Sequence, residues 1–258
     1  SAYVGKLNMD RNSRFGLQET TEETLKETER WLKETETGYG QVKPILTPRY
    51  TPTCTDACME GLQVLSEKYQ VPVQSHLSEG LDEIEWVKQL KPGLSCYGEA
   101  YDMYDLLGSR QPAVMAHVVH PNEAEYELIK HRNVLVAHCP QSNTNAANGV
   151  APILQMVHDG IRVGLGTDMA GGYNLNLLRT ITDAIQASKL RWCFTERNGD
   201  PFAKKNFLTD HSSESSAALS LIMNLMLWSW TMQLWLILWN VRYRIVSSVF
   251  YGCILQIL

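Results

Sequence analysis

The chain has no surplus of positive charge: 23 Lys and Arg stand against 28 Asp and Glu, a net charge of −5. It has no basic run either, which excludes the electrostatic footprint of a nucleic-acid binder. Six cysteines are present, but none in a C-x-x-C spacing. Cys54 and Cys58 fall four apart on one expected helix, and the others are scattered. A disulfide-stapled secreted scaffold is therefore excluded, and a reduced, cytoplasmic setting is expected. No basic-then-apolar leader opens the chain, so no secretory signal is expected. It starts at Ser1 without methionine and runs at once into a strand-like segment. The expectation is that its natural start lies further upstream.

What is present is an alternation. At 258 residues the chain can bury a sizeable core, as one large domain or two modest ones. Six continuous apolar runs read as strands: Tyr3–Leu7, Val42–Leu46, Val71–His76, Ala113–Val119, Val134–His138 and Ile161–Asp168. Between and after them, Thr20–Thr35, Thr53–Tyr69, Asp82–Leu90, Ala100–Leu107, Pro121–His131, Gly149–Asp159 and Asn174–Leu190 carry helical spacing. Thr20 or Thr21 is suited to cap the first helix, with Glu residues favourable in its first turn.

Strands that are apolar throughout suit a parallel sheet covered on both faces, either doubly wound or closed into a (β/α) barrel. The polar residues choose between these. Arg49, His76, His117, His138 and Asp168 all end strands. In a barrel such ends converge on one mouth, whereas an open sheet spreads them along a line. The expected fold is α/β, a (β/α)8-type barrel over residues 1–193.

The stretch Gln74-Ser75-His76-Leu77-Ser78-Glu79 carries the chemistry. A strand-end imidazole can ligate a metal, and a carboxylate three residues on can move protons for an activated water. Taken alone, either residue also fits a hydrogen-bonded polar group on a loop; their recurrence with Asp168 at other strand tips favours the site. His117 has two readings, metal ligand or group that polarises the attacking water. His138 is expected to shape the pocket. His120, His131, His158 and His211 read as structural or solvated. Arg49 offers a planar, permanent donor to a carbonyl or anion, with a plain surface arginine as the alternative.

Together, Thr47-Pro48-Arg49-Tyr50, the His76–Glu79 stretch, Met115-Ala116-His117, Ala137-His138-Cys139-Pro140-Gln141-Ser142-Asn143 and Gly164-Leu165-Gly166-Thr167-Asp168-Met169-Ala170-Gly171-Gly172 resemble the guanine deaminase family of the amidohydrolase superfamily. The resemblance runs from about Tyr3 to about Leu190. It implies one zinc at a barrel mouth, with His76 and Asp168 among its ligands and Glu79 as proton shuttle. It further implies that His117 orients the water and that Arg49 and Tyr50 bind guanine. Substrate contacts from His76, Glu79 and Asp168 are implied as well. The reaction would replace the exocyclic amine by water, giving xanthine and ammonia in purine catabolism. Another aminohydrolase or a chlorohydrolase of the superfamily is the neighbouring reading, and a non-catalytic or membrane-associated partner the distant one. The H-x-E with P-C-x-x-C arrangement of other zinc deaminases is absent.

Two departures from the family stand out. The family's first barrel strand carries a His-x-His that completes the zinc ligands, and these 258 residues contain none. The six strands then correspond to strands three to eight, and little or no activity is expected from two ligands and open strand edges. The second departure is the tail. From Ala217 to Val241 there is no charged residue, and Trp228, Trp230, Trp235 and Trp239 crowd together, as in a membrane span. Yet the codons permitted at Ile222–Met232, taken from the third base of the Ile222 codon, allow a segment of the family's small β domain. A linker over 194–219 and a frameshifted tail over 220–258 are expected, with membrane association disfavoured. The family forms homodimers; for this chain the sequence leaves that open.

Overall fold

The computed structural model of the chain describes residues 2–14, 16–38 and 40–196. The expected linker lies outside this range beyond its first three residues, and so do His211 and the whole expected tail. No described helix is long and apolar enough to cross a membrane.

In chain order the strands are β1 (Ala2–Val4), β2 (Leu7–Asn8), β3 (Val42–Pro44), β4 (Thr47–Pro48), β5 (Val73–Leu77), β6 (Ala113–His117), β7 (Leu135–His138) and β8 (Val163–Leu165). The helices are α1 (Thr21–Gly38), α2 (Asp56–Tyr69), α3 (Leu81–Leu90), α4 (Glu99–Asp102), α5 (Glu123–His131), α6 (Pro140–Asn145), α7 (Ile153–His158) and α8 (Leu177–Arg191). The first two expected strands are each broken in two. β1 pairs with β3 and β2 with β4, both parallel and in one continuous register, Ala2 opposite Val42 and Leu7 opposite Thr47. The break falls where the two chains touch. A Cβ on Gly5 would lie 1.9 Å from Thr47 Oγ1 and 2.4 Å from Ile45 O, so only glycine admits this approach.

From there the wall continues without reversal. Leu46 bridges Val73 in parallel, and Gln74 N donates to Leu46 O at 2.9 Å. Then β5, β6, β7 and β8 pair in that order, all parallel. Spatial order thus follows chain order throughout. A doubly wound sheet reverses its order at a switch point, whereas a barrel wall does not.

Alternation along the strands sorts the two faces. Val73, Leu77, Met115 and Val136 join Met59, Leu62, Ile129 and Met156 in the main core between wall and helices. Val114, Ala116 and Ala137 form a separate small cluster with Leu135 on the inner face. Helix starts follow the sequence signals. Thr20 is the capping residue of the first helix: its hydroxyl accepts from Glu23 N at 3.1 Å while Glu23 Oε2 accepts from Thr20 N at 3.0 Å. Thr55 and Asn122 cap α2 and α5.

One local expectation is corrected. The helix expected over Ala100–Leu107 stops after Asp102, because Asp105 (φ 57°) and Gly108 (φ 101°) turn left-handed and tuck Leu106 and Leu107 into the core. The run after His138 starts α6 with Pro140 in its first turn, where the fixed φ of proline suits a helix.

Candidate active site

Residues from five strand ends meet at one end of the wall. His76 projects from the regular, inward-facing side of β5, paired with Ala116. Its Nδ1 lies 2.6 Å from Arg49 O. A carbonyl only accepts, so Nδ1 carries the proton and Nε2 keeps its lone pair. The loop that follows β4 thereby sets the tautomer of the His76 ring.

His117 arrives differently. It pairs with Leu77, a core-facing residue, and strand alternation alone would aim it at the helices. Its φ of 75° and the 46° of Val118 turn the chain out of the strand, a costly conformation for non-glycine residues that is retained mainly where neighbours enforce it. The ring ends up stacked on His76, with centroids 5.2 Å apart and planes at 20°. Asn143 Oδ1 accepts from His117 Nδ1 at 2.8 Å. Burial, with the nearby His76, pushes the His117 pKa down to about 4. The ring is therefore neutral at pH 7, with Nε2 able to accept a proton.

That nitrogen stands 3.5 Å from Glu79 Oε2. The other oxygen, Oε1, accepts from Asn148 Nδ2 at 2.9 Å, and Glu79 N donates to Glu83 Oε2 at 3.0 Å. Burial raises the Glu79 pKa; the charge of Asp168 adds to the rise, and His76, Asn148 and Arg49 oppose it. A carboxylate lifted toward neutrality exchanges protons more readily near pH 7. Asp168 follows β8 with φ 44°, and its carboxylate acts electrostatically on both Glu79 and His117.

Arg49 is exposed, and its guanidinium lies 5.0 Å from the centroid of the Tyr50 ring. Tyr50 is edge-on to both His76 and Trp86, 6.4 Å in each case. A flat, partly buried ring beside a fixed cation is suited to a planar ligand bearing a carbonyl.

His138 is different. It is almost fully buried, neither ring nitrogen meets a protein hydrogen-bond partner, and burial drives its pKa down to about 3. Among the other histidines, His131 and His158 are exposed, while His120 bonds Asn148 O. A cavity of about 220 Å³ is lined in part by Ser78, Leu81, Tyr97, His120 and Glu125, but by none of Arg49, Tyr50, His76, Glu79, His117 or Asp168. The rim described here is thus separate from it.

The sequence reading missed Asn143, Asn148, Glu83 and Tyr101 as partners of the site. Tyr101 is fully buried, and its hydroxyl meets Ser75 Oγ at 2.9 Å, His76 O at 2.8 Å and Thr51 N at 3.2 Å. Only Ser95 and Glu99 and the Asn-rich stretch Asn143–Asn148 mark these segments as polar; Glu83 lies four residues from Glu79, and the other partners lie 25 to 69 positions away.

Residues 1–208 match the family described as the amidohydrolase family. The guanine deaminase of Dictyostelium discoideum is 39% identical over 201 residues, covering 78% of this chain and 44% of that protein. The crystal structure of guanine deaminase from C. acetobutylicum, with guanine bound in the active site, superposes with a TM-score of 0.72 at 45% identity, over 74% of this chain and 46% of that one. An adenosine deaminase from Xanthomonas campestris, solved with bound zinc, shares the fold at TM-score 0.65 and 23% identity, over 73% of this chain and 42% of that one. The chain spans under half the length of these relatives.

Proposed function

Because this chain belongs to the amidohydrolase family, we propose that its rim of strand ends is part of the site of a guanine deaminase. The single observation that carries this reading is the pairing of Glu79 Oε2 with His117 Nε2 at 3.5 Å, beside the stacked His76 ring. The relatives named guanine deaminase, one of them solved with guanine bound, support the substrate.

Zinc is the metal the family implies, and the residues fit it in kind but not in number. His76 presents an Nε2 lone pair and Asp168 a carboxylate, both ordinary zinc donors. A catalytic zinc takes three protein ligands, and among the described residues no three of His, Cys, Asp and Glu gather to hold a metal. When bound, zinc supplies the acidity that lets water react at neutral pH. These residues alone do not complete that site.

Glu79 Oε2 takes a proton from the attacking water and returns it to the departing amine, so that guanine and water yield xanthine and ammonia. His117, neutral and buried, accepts a hydrogen bond from that water and keeps its lone pair directed at the reacting carbon. Arg49 donates to the ring carbonyl, and Tyr50 covers the base. No disulfide joins the five described cysteines, which suits a cytoplasmic setting.

The test is Glu79→Gln, which keeps shape and removes the proton carrier, made in a chain whose upstream His-x-His region has been restored so that the parent turns over guanine. Guanine turnover should fall by about 10²–10⁴, the usual worth of general acid–base catalysis. A variant that matches the parent rate would sink the reading.

A further inference from the structure

Three loop tips knot together behind the shuttle. Val119 N and His120 N both donate to Ser78 O, at 3.0 and 3.1 Å. His120 Nε2 meets Asn148 O at 2.5 Å, and Asn148 N donates to Asn143 O at 2.9 Å. Gly149 then turns left-handed with φ 111°, and a Cβ there would meet the His120 ring at 3.3 Å. Asn148 is thus fixed at its backbone from two sides, while its side chain reaches Glu79 Oε1 at 2.9 Å. An ionised carboxylate only accepts, so the amide must present an N–H to it.

We propose that Asn148 is a positioning residue for Glu79, anchored by His120, which occupies Oε1 and leaves Oε2 as the oxygen that moves protons. The two oxygens of Glu79 are not equivalent in this fold. One is held by a fixed amide donor and the other faces His117. A carboxylate free to rotate would offer either oxygen and spend time turned from the reacting atoms; a misplacement on the order of 1 Å can cost about 10²-fold in rate. Glu83 secures the backbone of the same residue, accepting from Glu79 N and Gly80 N at 3.0 and 3.4 Å. Backbone and side chain are therefore fixed by different partners.

The inference rests on the proton-shuttle reading of Glu79, and its test separates the two. Asn148→Ala is introduced into the full chain, and the Glu79 carboxyl is followed by carbon-13 NMR against pH, its signal identified by its absence from Glu79→Gln. Loss of the N–H donor should move the Glu79 midpoint upward, because that bond favours the charged form. His76, Asp168 and Arg49, which also act on this carboxylate, are left in place. A folded Asn148→Ala protein with an unmoved midpoint overturns the proposal. If Asn148→Ala does not fold, His120→Ala, which releases only the anchor, must move the midpoint the same way by less; no movement there overturns it equally. Where guanine turnover is measurable, Asn148→Ala should lower kcat about tenfold or more with KM within about threefold, and Asn148→Ser should recover part of the loss. Turnover unaffected by Glu79→Gln refutes the shuttle reading and leaves the NMR result standing as a statement about geometry alone.

Discussion

His76 and His117 lie ring on ring, 5.2 Å apart, though they reach that position by different backbone routes. His76 follows the ordinary alternation of its strand. His117 depends on two successive left-handed residues, itself and Val118. The stack places one imidazole whose Nδ1 is held by Arg49 O beside another whose Nε2 faces a carboxylate. A donor for a metal and an acceptor for a proton are thereby neighbours.

The first prediction concerns the metal. With two family ligands, His76 and Asp168, zinc should be held weakly. Protein loaded with zinc and then dialysed should retain well under one ion per chain by atomic absorption. Stoichiometric zinc surviving dialysis contradicts the donor count.

Arg49→Lys replaces a planar fork by a point charge on a flexible stem. In a chain with the His-x-His region restored, KM for guanine should rise by about tenfold or more, with kcat changed less, since a contact made equally to substrate and transition state appears in KM. An unchanged KM would remove Arg49 from substrate binding.

Tyr101→Phe leaves the ring in the core and deletes the hydroxyl shared by Thr51 N, Ser75 Oγ and His76 O. Buried groups left unpaired cost about 1–3 kcal/mol. Urea unfolding should register a loss of that size. A loss below about 0.5 kcal/mol shows that the hydroxyl does not tie the Tyr50 loop to the His76 strand.

Stability should carry two opposing pH slopes. Burial raises Glu125 to about 7, against the hydrogen bonds from Ser78 and Gly98 that favour its charged form. Between about 4.3, the unfolded value, and 7 the folded chain keeps a proton that the unfolded chain has released, so stability falls as pH rises, on the order of 3 kcal/mol in all. His138 does the reverse. Lowered to about 3, it stays neutral while the unfolded chain takes up a proton below about 6.5, so stability falls as pH drops through that window. Urea midpoints at pH 5, 6, 7 and 8 should show Glu125→Gln removing the loss toward pH 7, and His138→Gln removing the loss toward pH 5. Parallel profiles for parent and both variants would refute the assignment.

The strand ends were legible in the sequence because parallel strands buried on both faces read as continuous apolar runs, and the polar residue that closes each run marks its tip. Arg49, His76, His117, His138 and Asp168 were placed at strand ends by that pattern, and the structure has them there. The family motifs in their order then named the chemistry. The sequence did not reveal the breaks at Gly5 and Pro44, since these arise where two distant segments touch. It did not reveal that His138 is buried away from hydrogen-bond partners while His117 turns into the site, because both end an apolar run in the same way.

Sequence by itself thus determined the alternation of strands and helices, the residue types available for chemistry, and the absence of a His-x-His. Local apolar periodicity and residue identity carry that information. Only the tertiary structure decided which oxygen of Glu79 is held and which faces His117, which tautomer His76 adopts, and where Tyr101 joins two loops. Those depend on partners 25 to 69 residues away, and no local pattern in a single chain records such distances.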